Sequence, residues 1–473
     1  MNTTANCDFG MIGLGVMGRN FLLNVADHDF QVIGYDLEQE KVNALLHEKK
    51  GDNVQAATDL PTFINALKAP RRIMLLVPAG NAVDAVIDQL LPHLEKGDIL
   101  IDGGNSHYDD THRRMEKLSD SGLHYLGMGV SGGEKGARFG PSLMPGGKMD
   151  AYQPVKDMLE AAAAKVQGEA CVAFLGHGAA GHYVKMVHNG IEYGIMQLIA
   201  EIYDVLKRIG GFTEDELYNT FKEWNEGRLQ SFLVEITADV FRQADDLQEG
   251  QMLINNILDS AKQKGTGKWT SQSAMDLGVA IPTIDAAVTM RYLSSQKKER
   301  TKAEKKLSGP DVAQTVDKAV LKKQAEEALH FAMLVTYAQG FAMLSQASAS
   351  MSFGLDLSTV AKIWRGGCII RAKMLEDFIE AFASQPKLSN LMVDKAIASH
   401  LSINNISVRK LLVECIQSGV PASALSASLH YYDSYRTARL PSNLIQAQRD
   451  YFGAHTYERL DKTGTFHTIW GTS

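Results

Sequence analysis

The sequence predicts an α/β dinucleotide-binding (Rossmann-like) domain, then a large all-helical domain with an internal repeat, and a C-terminal tail. Three observations support this order. Short apolar runs alternate with helical patterns to about residue 180, helical periodicity continues to about residue 440, and the last residues are aromatic and irregular. Alternating strands and helices are typical of a parallel sheet with crossover helices. We therefore predict domains at 1–180 and 181–440, and a tail at 441–473.

Size and charge narrow the class of protein. The chain has 473 residues and a formal net charge of −7, which gives no reason to expect nucleic acid or an anionic membrane as a partner. No signal peptide is visible in residues 1–10, and no apolar stretch is long enough to cross a bilayer. Cys7, Cys171, Cys368 and Cys415 show neither metal-ligand nor disulfide spacing. We expect a cytoplasmic protein without a metal site.

The predicted strands of the first domain are short and apolar, as in a buried parallel sheet. They cover residues 9–12, 31–35, 73–77, 99–102, 123–128 and 171–175. A helix is predicted at 16–26, directly after the first strand. The first strand, this helix and the second strand form one strand–helix–strand unit.

A glycine-rich loop joins the first strand to its helix. Its residues are Gly13, Leu14, Gly15, Val16, Met17 and Gly18. In this context the glycines permit a tight turn and let a pyrophosphate approach the helix N-terminus. The motif alone could be a plain glycine-rich turn, but its position favours a dinucleotide site.

The residue that ends the second strand selects the dinucleotide. It is Asp36, eighteen positions after Gly18, and it is followed by Leu37 and Glu38. A carboxylate there accepts hydrogen bonds from the ribose hydroxyls of NAD and repels the 2′-phosphate of NADP. The sequence therefore predicts a preference for NAD, with NADP as the alternative cofactor.

Two polar loops follow later strands. Residues 102–106 read Asp-Gly-Gly-Asn-Ser, and residues 130–133 read Val-Ser-Gly-Gly. Ligands of open α/β sheets bind at the carboxyl ends of strands, and these loops offer hydrogen bonds to a hydroxylated substrate. Ordinary turns have the same composition, so each loop by itself leaves both interpretations open.

A row of polar residues marks the start of the helical domain. Lys185, His188, Asn189 and Glu192 fall three, four and seven positions from the lysine, which places them on one helical face. A base, an acid and two hydrogen-bonding groups suit proton transfer, whereas unpaired charge is costly in a core. A solvated helix face is the alternative.

The internal repeat provides a comparison for this row. Residues 325–382 read as a degenerate copy of 182–241, and Trp-Arg-Gly-Gly at 364–367 corresponds to Trp-Asn-Glu-Gly at 224–227. The positions that match the polar row are Leu329, Ala332, Met333 and Thr336. The second helix is thus predicted to form without the row, which favours a chemical purpose for it.

Together these features resemble the decarboxylating 6-phosphogluconate dehydrogenases over essentially the whole chain. The resemblance also rests on residues 182–193, on Lys-Gly-Thr-Gly-Lys-Trp at 264–269 and on residues 446–456. This family oxidises and decarboxylates 6-phospho-D-gluconate to ribulose 5-phosphate and carbon dioxide, without a metal, in the pentose phosphate pathway.

The resemblance implies a role for each site residue. Lys185 would be the general base and Glu192 the general acid. The residues implied to hold the carboxylate and hydroxyls of the substrate are Asn105, Ser131, Gly132, Gly133, His188 and Asn189. Those implied to hold its phosphate are Tyr193, Lys264, Arg291 and Arg449, with His455 nearby. Arg449 and His455 would come from the partner subunit of a homodimer, whose tail threads into its neighbour. Without the resemblance, the cations Lys264, Arg291 and Arg449 would be read as surface charge, which is the usual case.

The cofactor site departs from the common pattern of that family. Many members have Asn-Arg-Ser or Asn-Arg-Thr where this chain has Asp-Leu-Glu at 36–38, and the arginine meets the 2′-phosphate. Many have Val-Lys-Ala-Gly where this chain has Val-Pro-Ala-Gly at 77–80. The resemblance implies that Val77, Ala79 and Asn105 border the cofactor. Both changes remove positive charge and support NAD.

Two other functions fit parts of the sequence. A simpler β-hydroxyacid dehydrogenase, such as one acting on 3-hydroxyisobutyrate, shares the glycine-rich loop and the lysine but lacks the duplicated helical half and the cations at Lys264, Arg291 and Arg449. A non-catalytic dinucleotide sensor would keep the fold, although the intact Lys185 and Glu192 argue against it.

Overall fold

The computed structural model describes residues 6–310 and 316–471. The outer limits of the predicted first domain and tail, residues 1–5 and 472–473, lie outside the described residues.

A seven-stranded sheet forms the centre of the first domain, in the order β3-β2-β1-β4-β5-β6-β7. The first six strands are parallel, and β7 is antiparallel to β6. The strands are β1 (Phe9–Ile12), β2 (Val32–Tyr35), β3 (Val54–Ala57), β4 (Arg72–Leu75), β5 (Ile99–Asp102), β6 (His124–Ser131) and β7 (Ser142–Gly146). The strand order reverses between β1 and β4, which is where ligands of such sheets bind.

Eight helices accompany this sheet. They are α1 (Val16–Ala26), α2 (Gln39–Glu48), α3 (Leu60–Ala66), α4 (Asn81–Leu90), α5 (Tyr108–Ser119), α6 (Gly133–Phe139), α7 (Met149–Tyr152) and α8 (Lys156–Ala162), with 3-10 turns at Leu91–His93 and Gln153–Val155. Successive residues of β4 enter different cores, since Met74 packs in one cluster and Ile73 and Leu75 in the other. The sheet is therefore buried on both faces, as its continuous apolar strands predict.

Most of the predicted strands form, but one does not. The limits at 9–12 and 99–102 and the helix at 16–26 agree with β1, β5 and α1. The prediction of a strand at 171–175 is wrong, because only Val172 pairs there, in an isolated bridge to Leu143, after a short hairpin of β8 (Lys165–Val166) and β9 (Glu169–Ala170). The segment is apolar because Cys171, Val172 and Leu175 are buried beside β7. Strands β3 and β7 were not predicted.

Between residues 180 and 440, the elements of regular secondary structure that the structure describes are helices. They are α9 (Ala180–Arg208), α10 (Glu214–Asn225), α11 (Phe232–Arg242), α12 (Thr266–Asp276), α13 (Pro282–Ser295), α14 (Lys297–Glu304), α15 (Lys318–Ser350), α16 (Leu357–Ile363), α17 (Leu375–Ser384), α18 (Lys395–Gln417) and α19 (Ser423–Tyr435), with 3-10 turns at Leu253–Asn255 and Leu391–Val393. Thr213 and Glu216 form a capping box that begins α10. One large apolar cluster holds these helices together.

The two segments of the predicted repeat contain helices in the same order. Helices α9, α10 and α11 are one long helix followed by two shorter ones, and α15, α16 and α17 follow the same sequence. An isolated antiparallel bridge joins Ser231 to Ala372, between the second and third helix of each segment. The residues of α15 that match the polar row are fully buried: Leu329, Ala332, Met333 and Thr336.

Glycines let α9 lie directly on the sheet. A Cβ atom at Gly181 would be 2.2 Å from the carbonyl oxygens of Gly127 and Met144, and one at Gly146 would be 2.2 Å from the backbone nitrogen of Gly181. A Cβ atom at Gly129 of β6 would be 2.4 Å from that of Lys185. These side chains are absent, so the first turns of α9 come to the carboxyl end of β6.

The sequence analysis predicted no apolar stretch long enough to cross a bilayer, but the long helix α15 is one by length and composition. It has 33 residues, and its most apolar window is long and apolar enough to cross a membrane. In the structure 89% of that window is buried inside the protein. This is the environment of a core helix, since its apolar side chains pack on neighbouring helices.

The tail forms a small structure of its own. It consists of α20 (Ser442–Gly453) and a hairpin of β10 (Tyr457–Glu458) and β11 (Thr465–Phe466). The fully buried carboxylate of Asp450 accepts hydrogen bonds from the Thr456 and Thr468 amides, from His467 Nδ1 and from Trp470 Nε1. Asp450 thus fixes the hairpin against α20.

Candidate active site

The polar row lies on α9, where this helix leaves the sheet. Lys185, His188 and Asn189 are 7%, 0% and 7% exposed, and the side chain of Glu192 is 21% exposed. These four residues are not on a solvated helix face. Their polar groups have been removed from water, which is costly unless the groups interact with one another or with a ligand.

His188 stands at the centre of the row. Its Nδ1 atom is 3.5 Å from Lys185 Nζ, 3.2 Å from Asn189 Oδ1 and 3.8 Å from Glu192 Oε2. Its Nε2 atom is 3.2 Å from Ser131 Oγ, at the carboxyl end of β6. The imidazole therefore connects the amine, the carboxyl group and the sheet in one cluster.

Burial shifts the pKa values of this cluster toward the neutral forms. It lowers the pKa of Lys185 below the usual lysine value, although Glu192 opposes this shift. It raises the pKa of Glu192, against the effect of Lys185 and Arg291, and lowers that of His188 well below the usual range. A neutral amine can act as a base, and a protonated carboxyl group can act as an acid. The shifts bring the neutral amine of Lys185 and the protonated carboxyl group of Glu192 closer to neutral pH.

The glycines after Ser131 shape the floor of the site. Gly132 has φ +112°, and a Cβ atom there would lie 2.6 Å from the carbonyl oxygen of Gly367. Gly133 has φ +62° and no atom within 4 Å of such a Cβ position. The first glycine is required by packing, while the second presents open backbone at the start of α6.

The second repeat segment contributes residues that sequence analysis did not assign to the site. The rings of Trp364 and His188 meet edge to face at 5.7 Å, and Cys368 Sγ donates to the Trp364 carbonyl. Burial raises the pKa of the Cys368 thiol to about 12, which keeps it protonated beside Lys185. The sequence signal for this segment was Gly366, where the first copy has Glu226.

Tyr193 follows Glu192 on α9, and Arg291 of the helix α13 stacks on its ring. The guanidinium carbon of Arg291 lies 3.5 Å from the centroid of the Tyr193 ring, and its Nη1 donates to the Lys262 carbonyl at 2.9 Å. On the helix α12, a Cβ atom at Gly267 would be 2.5 Å from the same ring. The predicted residue Lys264 is exposed, two positions before α12. The structure thus places one guanidinium, that of Arg291, beside this end of the row.

The glycine-rich loop has the geometry of a dinucleotide site. Gly13 has φ +95°, and a Cβ atom at Gly18 would lie 1.9 Å from the Gly13 carbonyl oxygen, so both glycines are needed for the turn. No atom lies within 4 Å of a Cβ position at Gly15, the N-cap of α1. Backbone that is open at a helix N-terminus can accept a pyrophosphate. Leu14, Val16 and Met17 complete the loop between β1 and α1.

Asp36 is held beside this loop. Its Oδ2 atom accepts from the Leu14 amide at 2.8 Å and lies 3.6 Å from Lys41 Nζ, while Glu38 Oε1 is 2.8 Å from the same amine. One lysine thus meets two carboxylates, and the trio keeps one negative charge. A neighbouring cavity of about 270 Å³ is lined by Gly13, Tyr35, Asp36, Leu37, Val77 and Val86, among others. Its size and mostly apolar lining fit an adenine ring.

The remaining predicted cofactor and substrate residues occupy two loops on the same edge of the sheet. Val77 and Ala79 follow β4, and Asn105 follows β5 with its side chain exposed. Neighbouring parallel strands end at the same edge, so these residues border one cleft with the loop at 13–18.

The tail residues are the ones that the structure does not bring to this cluster. Arg449 and His455 are exposed, and the Arg449 guanidinium donates to Gln446 within α20. The hydrogen bonds that the described tail residues make join parts of the tail to one another. Neither residue meets Lys185 or Arg291 in the same subunit.

Metal chemistry was not expected here. Among residues 6–310 and 316–471, no group of three or more histidine, cysteine, aspartate or glutamate side chains is arranged to hold a metal ion.

The fold and the site define a nicotinamide-dinucleotide-binding protein with a helical second domain. Residues 8–176 match the family described as the NAD binding domain of 6-phosphogluconate dehydrogenase, and residues 181–470 match the 6-phosphogluconate dehydrogenase C-terminal domain. The chain belongs to the 6-phosphogluconate dehydrogenase family.

Relatives of this chain carry consistent names. It is 51% identical to the NADP(+)-dependent, decarboxylating 6-phosphogluconate dehydrogenase of Bacillus subtilis, over 98% of both chains. It is 50% identical to the decarboxylating enzyme of Lactococcus lactis, over 99% of both. The 6-phosphogluconate dehydrogenase of Plasmodium falciparum, studied in apo form, with NADP+ and with 6-phosphogluconate, matches with a TM-score of 0.95 and 43% identity over 98% of this chain and all of that one.

Proposed function

We propose that this protein oxidises and decarboxylates 6-phospho-D-gluconate to D-ribulose 5-phosphate and carbon dioxide, with NAD as the preferred hydride acceptor. The observation that carries the proposal is the buried cluster of Lys185, His188 and Glu192 at the carboxyl end of β6, with Arg291 of α13 stacked on Tyr193, the residue after Glu192. It offers a base and an acid on one helix, next to an anion-binding guanidinium.

Lys185 acts first in this mechanism. Its buried amine, with a lowered pKa, takes the proton of the C3 hydroxyl as C3 loses a hydride. The 13–18 loop would hold the pyrophosphate of the dinucleotide, whose nicotinamide would supply the hydride acceptor. The resulting ammonium then polarises the C3 ketone, and it stabilises the enediolate oxygen after the C1 carboxylate leaves as carbon dioxide. Lysine thereby serves both as base and as electrophile.

Glu192 completes the reaction. Burial raises its pKa, so the carboxyl group can hold a proton near neutral pH. It delivers this proton to the enediol carbon that becomes C1 of ribulose 5-phosphate. His188 and Asn189, with Ser131 and the open backbone of Gly133, hold the substrate's carboxylate and hydroxyls between the two groups.

The substrate's phosphate belongs at the cationic end. Arg291 and Lys264 supply charge there, and Tyr193 orients the arginine by stacking on it. A planar guanidinium matches a phosphate with two parallel hydrogen bonds. This end distinguishes a phosphorylated sugar acid from the small unphosphorylated acids of a simpler β-hydroxyacid dehydrogenase.

The preference for NAD rests on charge at the end of β2. Asp36 and Glu38 outnumber Lys41, so a 2′-phosphate would meet net negative charge, while the ribose hydroxyls of NAD can donate to Asp36. Pro78 offers no cation in the neighbouring loop. The Bacillus subtilis relative is named for NADP(+). We assign a different preference to this chain because of the residues at 36–38.

The tail supports a homodimer with exchanged tails. Large apolar side chains of the tail are exposed on one subunit: Leu444, Ile445, Tyr451, Phe452, Leu460 and Ile469. Such a patch favours burial against a protein surface. In the proposed dimer, Arg449 and His455 of one subunit complete the phosphate end of the other. We keep the proposed division of the chain into domains 1–180 and 181–440 and the tail 441–473.

A spectrophotometric assay tests the proposal. We expect reduced cofactor to form from 6-phosphogluconate but not from 3-hydroxyisobutyrate, with a higher kcat/KM for NAD than for NADP. Turnover of only the unphosphorylated acid would indicate the simpler dehydrogenase, and no turnover would indicate a dinucleotide sensor. An NADP advantage would contradict the cofactor preference alone.

A further inference from the structure

A buried arginine on α5 uses all of its hydrogen-bond donors. Arg114 is 1% exposed. Its Nε and Nη2 atoms donate to the two oxygens of Asp84 at 2.9 and 3.1 Å, and Nη2 also donates to the Gly80 carbonyl at 2.9 Å. Its Nη1 atom donates to Asp102 Oδ2 at 3.3 Å and to Ser106 Oγ at 3.2 Å. Five N–H groups thus have five acceptors, which is the full capacity of a guanidinium.

These acceptors belong to two segments that border the cleft: Gly80 and Asp84 at the start of α4, and Asp102 and Ser106 at the end of β5 and in the loop after it. Gly80 follows Val77 and Ala79 at the start of α4, while Asp102 and Ser106 enclose Asn105. Gly80 has φ +88° and caps α4 without a side-chain hydrogen bond, so the guanidinium is a fixed support for that turn. Arg114 therefore sets the distance between the cofactor loop after β4 and the substrate loop after β5.

Asp102 extends this network. Besides Arg114, its carboxylate accepts from Ser106 Oγ at 2.6 Å, from the Gly104 amide at 3.0 Å and from Tyr125 at 2.9 Å. Asn105 is the one residue of the loop that faces solvent, while its neighbours on both sides are buried. The loop is thus held rigid around the side chain that is exposed to the cleft.

The same face of α5 also contacts the catalytic helix. Thr111, three residues before Arg114, has its hydroxyl 2.6 Å from His182 Nδ1, and His182 Nε2 is 3.0 Å from the Asp102 carbonyl oxygen. His182 lies three residues before Lys185 on α9. Helix α5 therefore touches the cofactor loop, the substrate loop and the helix that carries the base and the acid.

We propose that Arg114 is a positioning residue for hydride transfer: it sets the alignment of Asn105 and the 77–80 loop, and with them the approach of C3 of the sugar acid to the dinucleotide. This inference rests on the proposed function. None of the five bonds touches the substrate, so the arginine acts through the loops that it joins. Displacement of reacting groups by about 1 Å can cost about 100-fold in rate.

The same sheet provides a matched control at its opposite edge. Arg71 precedes β4 and Asp98 precedes β5, so they lie at the amino ends of the strands whose carboxyl ends Arg114 supports. Arg71 Nη1 donates to Asp98 Oδ2 at 2.9 Å, and Asp98 is 1% exposed. Loss of this pair disturbs a buried carboxylate of the same sheet, but at the edge far from the cleft.

The experiment compares Arg114→Lys with Arg71→Lys in the full-length enzyme. Lysine keeps the charge but cannot reach five acceptors in a plane. For Arg114→Lys we expect kcat to fall about 10- to 100-fold, and the kinetic isotope effect with 6-phosphogluconate deuterated at C3 to rise as hydride transfer becomes limiting. For Arg71→Lys we expect the isotope effect and kcat of the wild type, with a comparable loss in Tm.

If Arg114→Lys does not fold, the variant Ser106→Ala tests the positioning role of Arg114 instead. It removes one acceptor of Arg114 and one donor to Asp102, and we expect a lower kcat with a larger isotope effect. Equal kcat and isotope effects for the wild type and the folded Arg114 or Ser106 variant would overturn the positioning role while leaving the proposed function intact. A wild type without turnover of 6-phosphogluconate would overturn both.

Discussion

At the scale of single residues, burial shifts the pKa values of Lys185 and Glu192 in the directions that acid–base chemistry needs. Lys185 and Glu192 are separated by two helical turns, and His188 between them contacts both. The spacing along the helix is readable from the sequence because side chains three and four apart share a face. The pKa shifts are not, because they depend on β6 and on the segment around Trp364, which exclude water from the cluster.

The pH dependence follows from the two shifts. A base works when unprotonated, so protonation of Lys185 lowers kcat/KM as the pH falls, and an acid works when protonated, so ionisation of Glu192 lowers it as the pH rises. Glu192→Gln cannot ionise, and we expect a lower rate and the loss of the alkaline limb in a pH profile. A bell-shaped profile in this variant would exclude Glu192 as the acid.

Gly267 leaves room for the Tyr193 ring at the proposed phosphate end of the site. A methyl group there would meet the Tyr193 ring at 2.5 Å and move it, together with the arginine stacked on it. We expect Gly267→Ala to raise the KM for 6-phosphogluconate about tenfold with little change in kcat, since the phosphate contributes mainly to binding. Steady-state kinetics with varied substrate measures this.

Gly194→Ala is the control for crowding in general. Its Cβ atom would meet the Thr336 side chain at 2.6 Å in the core, rather than the Tyr193 ring. Both variants should lose about 1–3 kcal/mol of stability from overpacking. An equal KM increase in both would show that Gly267 has no specific role in the phosphate end.

At the scale of elements, α9 and α15 show how similar helices serve different purposes. Both are long and buried, but α15 has Leu329, Ala332, Met333 and Thr336 where α9 has its polar row. The apolar version shows that such a helix packs without buried charge, which favours a chemical purpose for the row. The duplication itself stays a prediction.

Exchange of one residue in each helix tests this interpretation. Lys185→Met should abolish turnover, leave binding of NADH intact and keep or raise Tm, because a buried ammonium is replaced by a side chain of similar size. Met333→Lys should destabilise the protein by about 3–5 kcal/mol, since nothing in the core of α15 pairs with the new charge. Thermal denaturation of both variants measures the difference, and a large Tm loss in Lys185→Met would mean that the row stabilises the fold.

At the scale of the whole molecule, the tail of one subunit lies apart from the polar row of the same subunit. Arg449 and His455 are exposed in the single chain, and the tail has its own hydrogen-bond centre at Asp450. A small structure that exposes several large apolar side chains is typical of an interface. Symmetric dimers with exchanged tails would satisfy both observations.

Subunit mixing tests the exchange of tails. Lys185→Met and Arg449→Ala homodimers should each have little activity. After the mixture is denatured and refolded, each mixed dimer contains one site with intact Lys185 and an intact partner tail, so about a quarter of wild-type activity should return. Recovery near zero would place Arg449 in the same subunit as the Lys185 that it serves, and mock-treated homodimers are the control.

The sequence by itself determined the fold class, the glycine-rich loop with Asp36, and the order of polar residues along α9, because each depends on local spacing that survives in one dimension. The tertiary structure decided which groups meet. It alone placed Gly127 and Gly129 under α9, Trp364 against His188, and Arg114 between the two loops of the cleft, and it showed that the apolar segment 171–175 is a buried connection. Contacts between distant residues depend on how helices and sheet pack, and burial, which sets the pKa values of the site, exists only once they have packed.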